Sequence, residues 1–200
     1  GGRRTIKKLD QTLADAQLPS SSTVNRFMGY ERLSAGRITV IMDSAASPDI
    51  YASAMAFEMS SGRWPMLMNC GPGTRQGGPW IKACAQAAAH NGLSIEGHSP
   101  SLAKVQSDRS HDMESTWLSA HHTGFTEAFN LTHERRLLVT NDGSSLSGED
   151  RLYPCSPPTG EPHRSDVLSA PTRGHAFMLH FHLHPDVVSE KIEQNITLKL

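Results

Sequence analysis

Apolar residues in this chain gather in runs too short for ordinary helices. Residues 30–33, 37–42, 54–59, 64–69, 92–95, 116–120, 134–140, 176–182 and 196–200 form runs of four to seven, separated by Gly, Pro, Asn, Asp and Ser. That is strand length. Many short strands with turn signals between them and little helix predict an all-β sandwich. Turns are expected at SAGR (34–37), SSGRW (60–64) and NDGSS (141–145), the last carrying the Asp-Gly hairpin signal. The alanines of KACAQAAAH (82–90) allow a helix, but the longer stretch WIKACAQAAAHNGLSI runs on into a strand pattern, so helix is the minor reading there.

A chain of 200 residues can bury one core without disulfide or metal staples. RRTIKKLDQTLADAQ (3–17) is polar with a loose helical pattern, and PSSST (19–23) reads as a break. Residues 1–22 are therefore expected to be a linker or the remnant of a preceding helical domain, with the folded domain over 23–200. The start at GGRRTIKKLD, with neither a methionine nor a signal-type apolar segment, reads as a cut within a longer protein. SPPTGEPHRSD (156–166) is expected to be a proline-rich loop.

With 19 basic and 20 acidic residues the net charge is −1, so no global field draws in nucleic acid or an anionic membrane. No run approaches a membrane span. Cys70, Cys84 and Cys155 lie far apart without a C-x-x-C pair, which argues against a zinc knuckle or a disulfide framework and leaves one disulfide with a spare thiol open. Cys70 is expected to be a buried thiol. GPGTRQGGPW (71–80) lacks the GKS or GKT ending of a phosphate loop, and the sequons at Asn130 and Asn195 matter only in a eukaryotic secretory setting.

The most conspicuous polar pattern is FMLHFHLHP (177–185), with His180, His182 and His184 at alternate positions. Same-face neighbours on one strand stand about 6.6–7 Å apart, whereas zinc needs its donors about 2.0–2.1 Å from one point. One strand can offer two such ligands but hardly three. The row is therefore expected to be a structural face, with a zinc enzyme built on it as a rival reading. Met178 would share that face, and Phe177, Leu179, Phe181 and Leu183 would be core on the other.

In THERRLLV, His133, Arg135 and Arg136 stand beside apolar residues. An arginine can bind a sugar carboxylate or sulfate bidentately, or it can pair internally with Glu134, Glu149 or Asp150. Trp117 precedes His121 and His122 and could stack on a sugar ring, but its size favours a core role.

Five ordered blocks make the chain recognisable: GYERLSAGRITVIMDSA (29–45), AMAFEMSSGRWPMLMNCG (54–71), AAHNGLSI (88–95), GFTEAFNLTHERRLLVTNDGSSLSGEDRL (124–152) and FMLHFHLHP. Together they resemble the C-terminal region of heparinase II/III-like proteins, from about residue 28 to the end. The resemblance implies an α/α toroid followed by an antiparallel β-sandwich, with only the sandwich present here. It further implies a polysaccharide lyase acting by β-elimination on an acidic, uronate-containing polysaccharide, inactive without its toroid, in a bacterial periplasm, cell envelope or cytoplasm.

In that family the sandwich supplies a histidine from an H-x-H strand, and some members hold zinc or another divalent metal with the second histidine of that strand, an aspartate and the histidine of an AHNT-like segment. Aligned on AMAFEM, these positions fall at Asp49, Tyr51, Asn69 and His90. Only His90 keeps the family residue type. Tyrosine and amide are poor divalent-metal ligands, so the expectation is that no metal is held and that a non-catalytic carbohydrate-binding or scaffolding module is the alternative to a lyase half. His90, Arg135, Arg136 and Trp117 are the candidate sugar contacts. For His90, an internally hydrogen-bonded histidine is the competing role.

Overall fold

The structure, a computed structural model, describes residues 26–27, 29–45, 51–155, 174–192 and 195–199. The 1–22 linker, the 156–166 loop and Asp49 lie outside the described residues.

The fold is an antiparallel β-sandwich. One sheet runs in the order β1 (Arg26–Phe27), β2 (Tyr30–Ala35), β3 (Ile38–Asp43), β4 (Phe57–Ser61) and β5 (Trp64–Leu67). The facing sheet has β7 (Gln106–His111), β8 (Ser115–Phe125), β9 (Leu131–Thr140) and β10 (Leu146–Pro154), ordered β10-β9-β8-β7. Between them in sequence lies β6 (Leu93–Ile95), paired with β11 (Phe177–Leu179), while β12 (Val188–Ile192) and β13 (Asn195–Lys199) close a C-terminal hairpin.

Alternation in the strands builds the core. Leu33 from β2, Ile38, Val40 and Met42 from β3 and Phe57 from β4 meet Leu118 and Ala120 from β8 and Leu137 and Val139 from β9. A smaller cluster of Leu93, Ile95 and Phe125 fills one end, with Leu131, Leu152 and Leu179 against it. At the open edge, buried Glu31 accepts from Ser107 Oγ at 2.8 Å and faces Arg109 at 3.5 Å, so a charged latch joins the sheets.

All three predicted turns are present. Gly36 and Gly62 hold the first central positions of two-residue hairpin loops at positive φ, as a type II′ turn requires. Gly36 also packs against the β9–β10 turn, where a Cβ on it would lie 2.2 Å from the Asp142 carbonyl oxygen.

The 82–90 stretch corrects the strand reading. Pro79–Cys84 is a short helix, α1, followed by a 3-10 turn at Ala87–Ala89 before β6 begins. Gly78 at the N-cap and Pro79 behind it start α1, since proline's fixed φ suits a first helical turn and its missing N–H costs nothing there. A second short helix, α2 (Thr126–Phe129), joins β8 to β9.

The C-terminal motif corrects another expectation. Phe177 is 58% exposed and Phe181 50%. β11 ends after three residues and borders only β6, so its apolar face is not enclosed between two layers.

Candidate functional site

On the outer face of the five-stranded sheet, the alternation that sends Val40 and Met42 inward turns Ile41 and Asp43 outward, with Glu58 of β4 beside Ile41 in register. Between this face and the loops that follow β3 and β5 lies a groove of ≈ 510 Å³. Tyr30, Asp43, Tyr51, Ser53, Glu58, Asn69 and His90 line it with a few small residues. Three of the four positions singled out in the sequence, Tyr51, Asn69 and His90, thus come together from segments up to 39 residues apart.

His90 ends the 3-10 turn in extended geometry and is 5% exposed. Its Nε2 lies 3.0 Å from the Cys84 carbonyl oxygen, which can only accept, so the proton sits on Nε2. Nδ1 is then a buried lone pair, and it has no hydrogen-bond partner among the described residues. Burial holds the imidazole below its ordinary pKa, against the opposing pull of the Cys84 hydrogen bond and the Asp43 charge, which keeps the ring neutral.

The other family positions are already engaged. Asn69 Oδ1 accepts the Asn91 N–H at 2.7 Å, and the Tyr51 hydroxyl donates to the Pro72 carbonyl at 3.4 Å. Asn91 is fully buried, with its side-chain amide donating to Phe57 O at 2.8 Å and its side-chain oxygen accepting from the His182 N–H. Asn69 therefore braces the floor of the groove rather than offering a free oxygen to a cation. Among the described residues no three His, Cys, Asp or Glu side chains converge into a metal-holding group. At the described family positions the side chains are the phenol of Tyr51, the amide of Asn69 and the imidazole of His90, whose Nδ1 has no hydrogen-bond partner among the described residues.

Beneath the groove runs a buried polar chain. The Gly124 N–H donates to His122 Nδ1 at 3.0 Å, which places the His122 proton on Nε2, facing His133 Nδ1 at 3.3 Å. His133 Nε2 then donates to Asp150 Oδ1 at 2.7 Å. Arg135 clasps the same carboxylate through Nε and Nη2 at 2.8 and 3.1 Å, and its Nη1 reaches the carbonyls of Met55 and Asn91 at 2.8 and 2.7 Å.

Burial pushes His122 down to about 3 and lowers His133. Burial alone would raise Asp150, but the His133 hydrogen bond and the Arg135 charge hold it below the usual carboxylate range. Two neutral imidazoles and an ion pair follow. Met55, a buried non-glycine residue at φ 57, is thereby pinned in the left-handed region beside the groove.

The remaining predicted sugar contacts lie elsewhere. Arg135 is 1% exposed, with no surface for a ligand, because the period-two alternation that buries Leu137 and Val139 buries it too. Arg136 and Trp117 project from the outer face of the other sheet, across the sandwich from the groove. Arg136 pairs with Glu134 at 3.1 Å, and Trp117 is 36% exposed, not a core residue. No third layer covers that face among the described residues.

In the histidine row, His180 meets Ser94 Oγ at 3.3 Å, His182 Nε2 donates to Ala88 O at 2.9 Å, and His184 Nδ1 accepts the Asp186 N–H at 3.2 Å. The three rings thus serve three separate partners. Cys70 is exposed, unlike the buried Cys84, because the loop after β5 opens to solvent.

The model of the heparinase II/III-like C-terminal family matches residues 19–200. The chain belongs to that family. This heparinase II/III-like domain is also 28% identical over 190 residues to FtsZ-localized protein C of Caulobacter vibrioides (strain NA1000 / CB15N), an alignment covering 84% of the chain but 32% of that protein. The domain thus spans about a third of the length of the curated relative it matches. No solved structure matches it.

Asp43, Glu58 and Ser53 were not anticipated as groove residues. Strand parity places the first two on the outer face, but only the fold brings them to Tyr51 and His90.

Proposed function

We propose that this domain is a glycan-binding β-sandwich, one wall of a saccharide groove in a longer protein, and that the lyase chemistry of its family has been lost from this wall. The observation that carries the reading is the convergence of Tyr51, Asn69 and His90 on one open groove. β-Elimination on a uronate asks for a base and for positive charge to neutralise the sugar carboxylate. Among the described lining residues there is no lysine or arginine. A lyase acting on an acidic polysaccharide would therefore have to draw its cation, and its toroid, from the rest of the longer protein.

Calorimetric titration of a panel of soluble polysaccharides tests this. The reading expects binding that weakens about tenfold or more in Tyr51→Ala, the loss on truncating an aromatic anchor, with no unsaturated uronate released. Saturable binding unaffected by Tyr51→Ala, or unsaturated product from the domain alone, contradicts it.

A further inference from the structure

The groove presents acceptors. His90 Nδ1 is a buried lone pair with no partner among the described residues, and its Nε2–H is committed to Cys84 O. Asp43 accepts from the Ala45 N–H at 3.0 Å and the Ser53 hydroxyl at 2.6 Å, and each of its oxygens keeps a second lone pair. Glu58 Oε1 accepts from the Asn69 N–H at 3.1 Å, and Oε2 has no partner among the described residues.

Against these stand the neutral amide of Asn69 and the Tyr30 hydroxyl as donors, and among the described lining residues no lysine or arginine. Arg32 shares the sheet face opposite Ile41 in β2 but is not part of the groove lining. The shallow continuation of the groove, ≈ 100 Å³ past Ile41 and Glu58 to Pro65 and Met68, adds no lysine or arginine among the described residues.

Carboxylated or sulfated sugars are acceptors with negative charge, so they meet this wall with like charge and unmatched hydrogen bonds. A ligand rich in donors and carrying a positive charge meets it with both complemented. Tyr30, half exposed at the rim, and Tyr51 add ring surface of the kind that receives the apolar face of a pyranose.

From the lone pair of His90 and the carboxylates of Asp43 and Glu58 we infer that the groove selects a glycan bearing free amino groups, a hexosamine-type saccharide with its ammonium seated between the two carboxylates. This rests on the glycan reading above and goes beyond it by assigning the sugar class. Asp43 is also a turn brace, so Glu58 is the residue to change: Glu58→Gln keeps the acceptor for Asn69 and removes the charge.

The experiment titrates the purified chain, at about pH 6 where an amine of ordinary basicity is protonated, with β-1,4-linked glucosamine tetrasaccharide, its fully N-acetylated counterpart, oligogalacturonate and a short oligolysine peptide. Asp108→Asn, on the exposed face of the other sheet, serves as a charge control.

The expected result is tightest binding of the free-amine saccharide, about tenfold or more over the N-acetylated one, as for a charge-assisted hydrogen bond. Glu58→Gln should abolish that preference with an unchanged melting temperature, and Asp108→Asn should leave it intact. Equal or tighter binding of oligogalacturonate overturns the amino-sugar assignment while sparing the glycan groove. Equal binding of oligolysine overturns the saccharide as the source of the ammonium, and equal losses in Glu58→Gln and Asp108→Asn reduce the effect to bulk charge. No binding of any probe overturns both this inference and the glycan reading.

Discussion

Arg135 shows how one side chain ties the core to the groove. Fully buried, it spends its donors on Asp150 and on the carbonyls of Met55 and Asn91, which flank the groove floor. Removing one partner of such a pair strands a buried charge, a loss of about 3–5 kcal/mol. Asp150→Asn is thus expected to lower unfolding stability by that order, while Glu149→Gln, one residue away in a solvent-screened pair with Arg151, should cost far less. Chemical denaturation of both variants checks this, and similar losses in the two would mean that the buried chain does not carry the stability assigned to it. The role of Arg135 was only half legible from the sequence, which offered it both as a sugar contact and as an internal partner of Glu134, Glu149 or Asp150; its place on the buried face with positions 133, 137 and 139 decides for Asp150. The identity of the groove was less legible: His90 was found by motif, but that its Nε2 would be consumed by Cys84 depends on α1, which local composition only half suggested.

Among the elements, the hairpins were the easiest to foresee, since Gly36, Gly62 and Gly143 sit at turn positions that need positive φ. Their consequences differ because their surroundings differ. At Gly62 a Cβ would meet only the flexible Arg37 side chain at 3.4 Å, whereas at Gly36 it would strike backbone of the facing turn at 2.2 Å. Gly36→Ala is therefore expected to cost about 2–3 kcal/mol and Gly62→Ala about 1–2, the latter from left-handed strain alone. Thermal unfolding of both would decide, and a milder effect at Gly36 would argue against close packing of the two turns. The C-terminal motif was harder to read for a related reason. Alternation in FMLHFHLHP assigns faces only if the strand persists, yet β11 stops at Leu179, so Phe177 and Phe181 are half exposed instead of core. Trp117 is outward for another reason, since nothing local in sequence says which face of a central strand looks into a sandwich.

For the molecule as a whole, three buried or nearly buried histidines make stability depend on acid. His90, His122 and His133 all have folded pKa values below the ordinary histidine value, chiefly through burial, with His122 at about 3. The unfolded chain takes up protons near pH 6.5 where the folded chain does not. Stability is therefore full above about pH 6.5 and falls as pH drops below it, by about 1.4 kcal/mol per pH unit for each histidine that stays neutral. Asp150, depressed in the fold, adds a further loss at more acid pH as it protonates. Calorimetric melting from about pH 7.5 down to 4.5 should show a monotonic decline, and a flat profile would mean that these rings are not held neutral. Among the described residues no helix is long and apolar enough to cross a membrane.

On the proposed function, the outer face of the five-stranded sheet, and not the opposite face, receives a saccharide. Backbone amide NMR of the labelled domain during titration with soluble oligosaccharides tests it most directly. Saturable shifts confined to the groove, at Tyr51, Asn69, Gly71 and His90, are expected, with Trp117 and Arg136 unmoved. Shifts centred on Trp117 and Arg136, or no saturable shifts with any saccharide, would contradict it.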